Sequence, residues 1–170
     1  MVNDTQNKKS EIILGVDTGF ALLGYGVIEK DSAGNLRLID YGVVSTHAKM
    51  PFATRLKEIH EGLEDVIKKY KPDVMAVEDL FFYKNVKTAI EVGQARGVII
   101  LTGIQAGLPI EEYTPLQIKQ AVTSYGRADK NQVQQMVKML LKLKEIPKPD
   151  DAADGLAVAI CCANSSNKLK

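Results

Sequence analysis

The chain of 170 residues has no tryptophan, two cysteines, four phenylalanines and six tyrosines. Cys161 and Cys162 are adjacent, and neighbours in a helix point in different directions, so a disulfide framework is excluded. We interpret both as small core residues, as expected in a reducing cytoplasm. The longest apolar stretch, residues 97–107, is too short to cross a bilayer, and no signal peptide is visible. The sequence therefore predicts a cytoplasmic protein that does not enter the membrane.

The chain also has almost no net charge, because 22 basic residues balance 21 acidic ones. The overall charge thus gives no indication of nucleic-acid binding, but the local charge does. The segment 113–148 carries only two acidic residues against seven basic ones: Lys119, Arg127, Lys130, Lys138, Lys142, Lys144 and Lys148. This excess is consistent with either a solvated helical face or a surface that contacts phosphates.

The hydrophobic pattern predicts five strands and five helices in one α/β domain spanning residues 11–164, with a flexible polar tail before it (1–10) and a short tail after it (165–170). Turn residues at 31–35 favour a hairpin between the second and third strands. The predicted strands are 11–17, 23–30, 36–45, 73–78 and 109–113, and the predicted helices are 51–70, 86–107, 114 onward, 129–143 and 150–164. This order indicates a mixed sheet whose first three strands are antiparallel and whose remainder is parallel, with helices on its faces.

Four acidic residues border apolar segments, where an unpaired carboxylate is costly. Asp17 and Glu78 end two predicted buried strands, while Asp151 and Asp154 lie three apart at the start of the last helix, on one face. Functional sites gather at the carboxyl ends of parallel strands. The four carboxylates are hard oxygen ligands of the kind that bind one or two Mg²⁺ ions for phosphodiester hydrolysis.

Each acid also has a simpler interpretation. Asp17 precedes Thr18-Gly19 and is a good turn former. Glu78 suits a strand end that faces water. Asp151 and Asp154 suit a helix N-terminus, where negative charge is favourable. These explanations are individually reasonable, but they are less plausible for all four residues together.

Five segments taken together resemble the crossover junction endodeoxyribonuclease (RuvC) family: LGVDTG (14–19), GYGVI (24–28), VEDLFF (77–82), GQARGV (93–98) and DAADGLAVAI (151–160). The resemblance covers about residues 12–163, and the segments follow one another with the family's spacing. It implies an RNase H-like fold and a homodimer that cuts four-way (Holliday) DNA junctions by paired symmetric nicks, in recombination and repair. Mg²⁺ is the implied cofactor, with Mn²⁺ as a substitute, and branch-migration proteins of the RuvA and RuvB type are implied partners.

The resemblance also assigns roles to residues. It implies that Asp17, Glu78, Asp151 and Asp154 are the catalytic, metal-binding carboxylates. The chain departs from the family pattern at Thr18, where proline is common, and Asp150 adds a fifth acid that either competes as a ligand or, as we expect, caps the helix.

Candidate DNA contacts surround these acids. The resemblance gives Phe81 a base-stacking role, although packing into the core is the alternative, and it matches Lys119 and Lys130 to basic positions that contact DNA. Lys130 opens a predicted helix, where a bound phosphate would relieve its conflict with the helix dipole. Further candidates are Lys84, Lys87, Arg96 and Arg127.

The predicted helix 86–107 carries a flat stripe formed by Ala89, Gly93 and Gly97. The stripe packs either against the sheet or against the same helix of a second subunit, and we favour the subunit interface. Two other functions compete with an endonuclease. One is a phosphotransferase domain, for which the chain is short and lacks a second glycine-rich motif, and the other is a DNA-binding module without catalysis.

Overall fold

The computed structural model describes residues 10–19, 21–79 and 86–165. The two predicted tails lie outside these ranges except for Ser10 and Ser165, and Ser165 is the last residue of a helix. No helix in the described ranges is both long and apolar enough to cross a membrane.

All the predicted strands and helices are found, with ends that differ by at most three residues. The strands are β1 (Glu11–Asp17), β2 (Leu22–Lys30), β3 (Leu36–Ser45), β4 (Val74–Glu78) and β5 (Ile110–Tyr113). The helices are α1 (Phe52–Tyr70), α2 (Val86–Gln105), α3 (Pro115–Thr123), α4 (Lys130–Leu140) and α5 (Asp150–Ser165). Helix α4 ends three residues before its predicted end, because Lys142 takes a left-handed conformation with φ 53°.

The strands form one five-stranded sheet in the order β3-β2-β1-β4-β5. Strands β1, β2 and β3 pair antiparallel, whereas β4 pairs parallel with β1 and β5 pairs parallel with β4. The predicted mixed arrangement is therefore confirmed. Strand β1 is central, so both of its faces are covered, which explains its nearly continuous apolar sequence.

Two helical layers cover the sheet. Helices α3, α4 and α5 pack on one face with Ile13 and Ala76, while α1 and α2 pack on the other with Leu14, Val16 and Val77. Neighbouring residues of a strand point to opposite faces, so the even and odd positions of β1 and β4 supply different cores. The two cysteines of α5 are buried and form no disulfide, as predicted.

Helix α5 approaches the sheet more closely than a surface of larger side chains would permit. A Cβ atom on Gly24 would overlap the backbone carbonyl of Asp151, and one on Gly15 would overlap the backbone of Gly155 and Ala159. Gly24 is the residue that pairs with Asp17 across β1 and β2. The first turn of α5 is thereby seated directly on the end of the central strand.

Capping side chains fix where α3 and α4 begin. Thr114 and Gln117 form a complete capping box at α3, and Asp129 and Gln132 form another at α4. The sequence indicated the second box only weakly, but its geometry is complete. These caps set Lys130 at the first position of α4, beside the first turns of α5.

Candidate metal and DNA site

Two carboxyl groups meet where the parallel pair of strands ends. Val16 pairs with Val77, so the residues that follow them, Asp17 and Glu78, stand side by side. Val16 and Val77 point into the α1 and α2 layer, so alternation turns Asp17 and Glu78 towards α5. Their carboxyl groups share a hydrogen bond.

Helix α5 brings the other two acids to the same place. Asp151 and Asp154 are half-buried in its first turns, and the charge of each acts on Asp17. Asp154 forms a 3.0 Å ion pair with the Lys130 ammonium group. The four acids predicted from sequence are therefore gathered at one end of the sheet.

The fifth acid, Asp150, lies at the outer edge of this group. It accepts a 2.9 Å hydrogen bond from Lys148 Nζ and lies 3.8 Å from Lys130 Nζ. These contacts lower the pKa of the Asp150 carboxyl, with the Lys148 hydrogen bond as the main cause. Its two ion pairs are with Lys130 and Lys148, whereas the sequence favoured a capping role.

Burial and crowding make the cluster electrostatically strained without a cation. Burial, the hydrogen bond with Glu78 and the charges of the neighbouring acids raise the pKa of Asp17 to about 9. Burial also raises the pKa of Glu78, against the opposing effects of the Asp17 hydrogen bond and of Lys119 and Lys130. For Asp154, burial raises the pKa although Lys130 opposes it. A proton on Asp17 and the Lys130 ammonium group thus compensate part of the negative charge.

A cavity of about 200 Å³ opens beside the acids. Its lining includes two acids, Glu78 and Asp154, and two lysines, Lys119 and Lys130. Acidic and basic side chains therefore share one recess. That combination suits a phosphate group that binds next to a cation.

The donor set fits a hard divalent cation, but the acids do not already surround one. Within residues 10–19, 21–79 and 86–165, no three acidic, histidine or cysteine side chains converge on a metal-sized point. Asp154 is directed to Lys130, and Asp17 is directed to Glu78. Carboxylate oxygens are nevertheless the ligands that Mg²⁺ and Mn²⁺ prefer. A bound cation would replace the proton on Asp17 and the ion pair of Asp154, which now offset the repulsion among the acids.

The other predicted DNA contacts differ in their placement. Lys119 faces the cavity, and Arg127 and Lys87 lie on exposed surface. Arg96 is mostly buried and pairs with Asp79 and Glu112. Phe81 and Lys84 lie outside the described residues.

Sequence reasoning missed Asp79, Glu112 and Gly24. The two acids are ordinary surface residues by pattern, and only the fold sets them around Arg96. Gly24 was noted as part of a motif, but its contact with the start of α5 depends on tertiary packing. The position of Asp79 directly after Glu78 was the one feature of the sequence that could have indicated a role near the site.

Comparison with known proteins agrees with this geometry. The sequence profile of the family described as crossover junction endodeoxyribonuclease RuvC matches residues 13–162. The chain belongs to the RuvC family. A RuvC of Halothermothrix orenii is 63% identical over 154 residues, which cover 91% of this chain and 93% of that protein. A RuvC of Caldicellulosiruptor saccharolyticus is 55% identical, covering 92% and 95%.

Solved structures agree as well. Thermus thermophilus RuvC in complex with Holliday junction substrate superposes with a TM-score of 0.88 and 36% identity, covering 93% of this chain and 96% of that one. The yeast mitochondrial Holliday junction resolvase Ydc2 has 14% identity and a TM-score of 0.69, and shows the fold alone. The fold is RNase H-like, and RuvC-family enzymes are metal-dependent nucleases.

The strained acid cluster predicts a pH dependence of stability in the metal-free RuvC-family chain. Asp17 has an ordinary pKa of 3.8 that rises to about 9 in the folded chain. Between these values the unfolded chain has released a proton that the folded chain retains, so the free energy of unfolding falls as pH rises. Asp17→Asn removes this dependence, and we expect it to stabilise the metal-free protein at pH 8 by more than about 1 kcal/mol.

The measurement is urea unfolding in EDTA at pH 5 and pH 8. The gain from Asp17→Asn should be larger at pH 8. Asp65→Asn, a matched change of an exposed acid on α1, should give the same small effect at both values. A gain that does not grow between pH 5 and pH 8 would contradict the strained cluster.

Proposed function

We propose that this chain is a Holliday junction resolvase, which makes paired symmetric nicks in a four-way DNA junction by metal-dependent hydrolysis in recombination and repair. The observation that carries the proposal is the gathering of Asp17, Glu78, Asp151 and Asp154 beside Lys119 and Lys130, in a chain of the RuvC family. The T. thermophilus relative crystallised with Holliday junction substrate supports the choice of DNA structure.

The four acids are proposed as catalytic residues that bind one or two Mg²⁺ ions, with Mn²⁺ as a substitute. Bound cation would supply the activated water and the stabilisation of the leaving oxygen. Asp17 must lose its proton for this arrangement, and Asp154 must release Lys130. The protein contributes oxygen ligands at fixed positions, because the ends of β1 and β4 and the first turns of α5 hold the four side chains in place.

Lys119 and Lys130 are proposed to bind the phosphate that is cut. Both line the cavity that Glu78 and Asp154 also line. Lys130 is the first residue of α4, where the helix dipole favours a negatively charged group such as a phosphate. The ion pair between Lys130 and Asp154 then belongs to the DNA-free protein. On binding, Lys130 would contact the phosphate and Asp154 would contact the metal.

The remaining contacts follow from position and chemistry. Phe81 is proposed to stack on a base opened at the crossover, where unpairing costs least. Lys84, Lys87 and Arg127 are proposed to contact other phosphates of the junction. The roles of Phe81 and Lys84 are proposed from the sequence.

Helix α2 is proposed to form a homodimer interface. Four of the eight exposed large hydrophobic residues in the described ranges lie on it: Val86, Ile90, Leu101 and Ile104. With Gly93 and Gly97 they fall within an arc of roughly 80° at 3.6 residues per turn. A Cβ atom on either glycine would meet open space, so these two glycines do not pack on the sheet of their own subunit. A two-fold dimer would set two sites on the two symmetric strands of a junction.

Two other functions were compatible with the sequence. Membership of the RuvC family argues against a phosphotransferase domain. A DNA-binding module without catalysis would not need four acids that strain the folded chain. Interaction with RuvA-type and RuvB-type proteins and a cytoplasmic location stay predictions.

Nicking of a synthetic four-way junction tests the central proposal. The protein with Mg²⁺ should cut two strands of like polarity near the crossover, and EDTA should stop the reaction. Asp17→Asn should lower the cleavage rate at least about 100-fold. It should leave junction affinity intact, because asparagine matches the size of the protonated acid and adds no negative charge near phosphate.

The control protein is Asp65→Asn, whose acid lies on the far helical layer and which should cut at the normal rate. Linear duplex of the same sequence controls for structure selectivity. Retained cleavage by Asp17→Asn, or equal cutting of duplex and junction, would refute the proposal.

Lys130→Ala tests the phosphate contact. The cleavage rate should fall, and the slope of log affinity against log salt should flatten by about one, as expected for one lost phosphate contact. Lys57→Ala removes an exposed lysine of α1 and should leave both quantities unchanged. An unchanged salt slope for Lys130→Ala would count against a phosphate contact at this residue.

Ile90→Glu tests the dimer interface, because it sets a charge in the middle of the α2 stripe. Light scattering after size exclusion should show a dimer for the unmodified protein and a monomer for the variant. Met139→Glu, which changes an exposed methionine on α4, should remain dimeric. Dimers that persist in Ile90→Glu at low micromolar concentration would locate the interface elsewhere.

A further inference from the structure

Arg96 has an environment unlike that of a DNA-contacting arginine. Its side chain is only 19% exposed. Nη2 lies 3.2 Å from Asp79 Oδ1 and also pairs with Glu112 Oε2. Nε is buried and has no hydrogen-bond partner among the described residues. Two carboxylates, one on strand β5 and one at the end of β4, thus contact a guanidinium group on helix α2.

Asp79 is the residue directly after the catalytic acid Glu78. Its backbone N–H donates a 2.8 Å hydrogen bond to the Tyr113 carbonyl, so the pairing of β4 with β5 continues through Asp79. Successive residues of an extended strand point to opposite faces. Glu78 therefore faces the acid cluster, while Asp79 faces α2 and reaches Arg96.

Glu112 supplies the second half of the contact. It pairs with Val77 in the parallel register, and partners in register share a face. Val77 packs in the α1 and α2 layer, so Glu112 lies on the same face as Asp79. Arg96 thereby ties the edge strand β5 and the end of β4 to α2, directly behind Glu78.

We propose that Arg96 is a positioning residue, which holds the end of β4 through Asp79 and Glu112 so that Glu78 keeps its place in the acid cluster. It does not contact DNA. Both carboxylates contact Nη2 of a planar guanidinium group, whose donors have a fixed geometry, whereas a lysine ammonium group sits on a flexible stem. The inference rests on the proposed function for its effect on cleavage, but its effect on the strand end is independent of that function.

Kinetics separates positioning from DNA contact. Arg96→Gln should lower the cleavage rate at saturating junction at least about tenfold. Its junction affinity should stay within about twofold and its salt slope should not change, because no phosphate contact is lost. Arg127→Gln, a change of an exposed arginine, is expected to lower affinity and flatten the salt slope. Arg96→Lys should recover only part of the rate.

A double variant checks that Arg96 acts through Asp79. Asp79→Asn alone should slow cleavage, and the double variant should be slowed by less than the product of the two single effects, since Arg96→Gln already removes the Asp79 contact together with the Glu112 contact. Asp79 is about half exposed, so this variant remains informative if Arg96→Gln fails to fold. Fully multiplicative effects of the two changes on rate would overturn the proposed route.

Hydrogen exchange gives a readout without cleavage. The Asp79 amide should exchange at least about tenfold faster in Arg96→Gln, whereas central amides of β1 should not change. If the unmodified protein fails to cut junctions, the proposed function fails and this measurement alone decides the role of Arg96. Unchanged exchange at Asp79, or a flattened salt slope with a normal saturating rate in Arg96→Gln, would overturn the inference.

Discussion

The close seating of α5 on the sheet is the contact on which the site depends. Gly15 and Gly24 leave no side chain between the central strands and the helix, so the helix backbone rests on strand backbone. Asp151 and Asp154 consequently reach the end of β1, where Asp17 stands. A larger residue at Gly24 would separate the acids, because overpacked interfaces relax by moving apart.

The carboxylates of the acid cluster repel one another in the metal-free protein, and binding of a cation would relieve this repulsion. Burial and the neighbouring carboxyl groups raise the pKa of Asp17, and the Lys130 ammonium group forms an ion pair with Asp154. This is the pattern expected of a functional site, where affinity for a cation comes partly from relief of repulsion. Stability and metal affinity are thus linked, since the same charges that weaken the metal-free fold attract the cation.

The two faces of the end of β4 contact different parts of the site. Glu78 points to the acids and to α5, whereas Asp79 points to Arg96 and to α2. The exposed stripe of α2 lies on the same helix as Arg96. Helix α2 therefore carries both Arg96, which contacts the end of β4, and the surface proposed to bind a second subunit.

The sequence by itself determined the order of the elements, the mixed sheet and the central position of β1, because hydrophobic periodicity is a local signal. It also singled out the four acids as candidates, because their positions at the ends of strands and at the start of a helix can be read locally. It also separated Lys119 and Lys130 from the other lysines through capping and resemblance. Tertiary structure alone decided that Arg96 pairs with Asp79 and Glu112, that Lys130 bonds Asp154, and that Gly24 admits α5. Those contacts join residues distant in sequence, and no local pattern records which side chains of different elements meet once the layers pack.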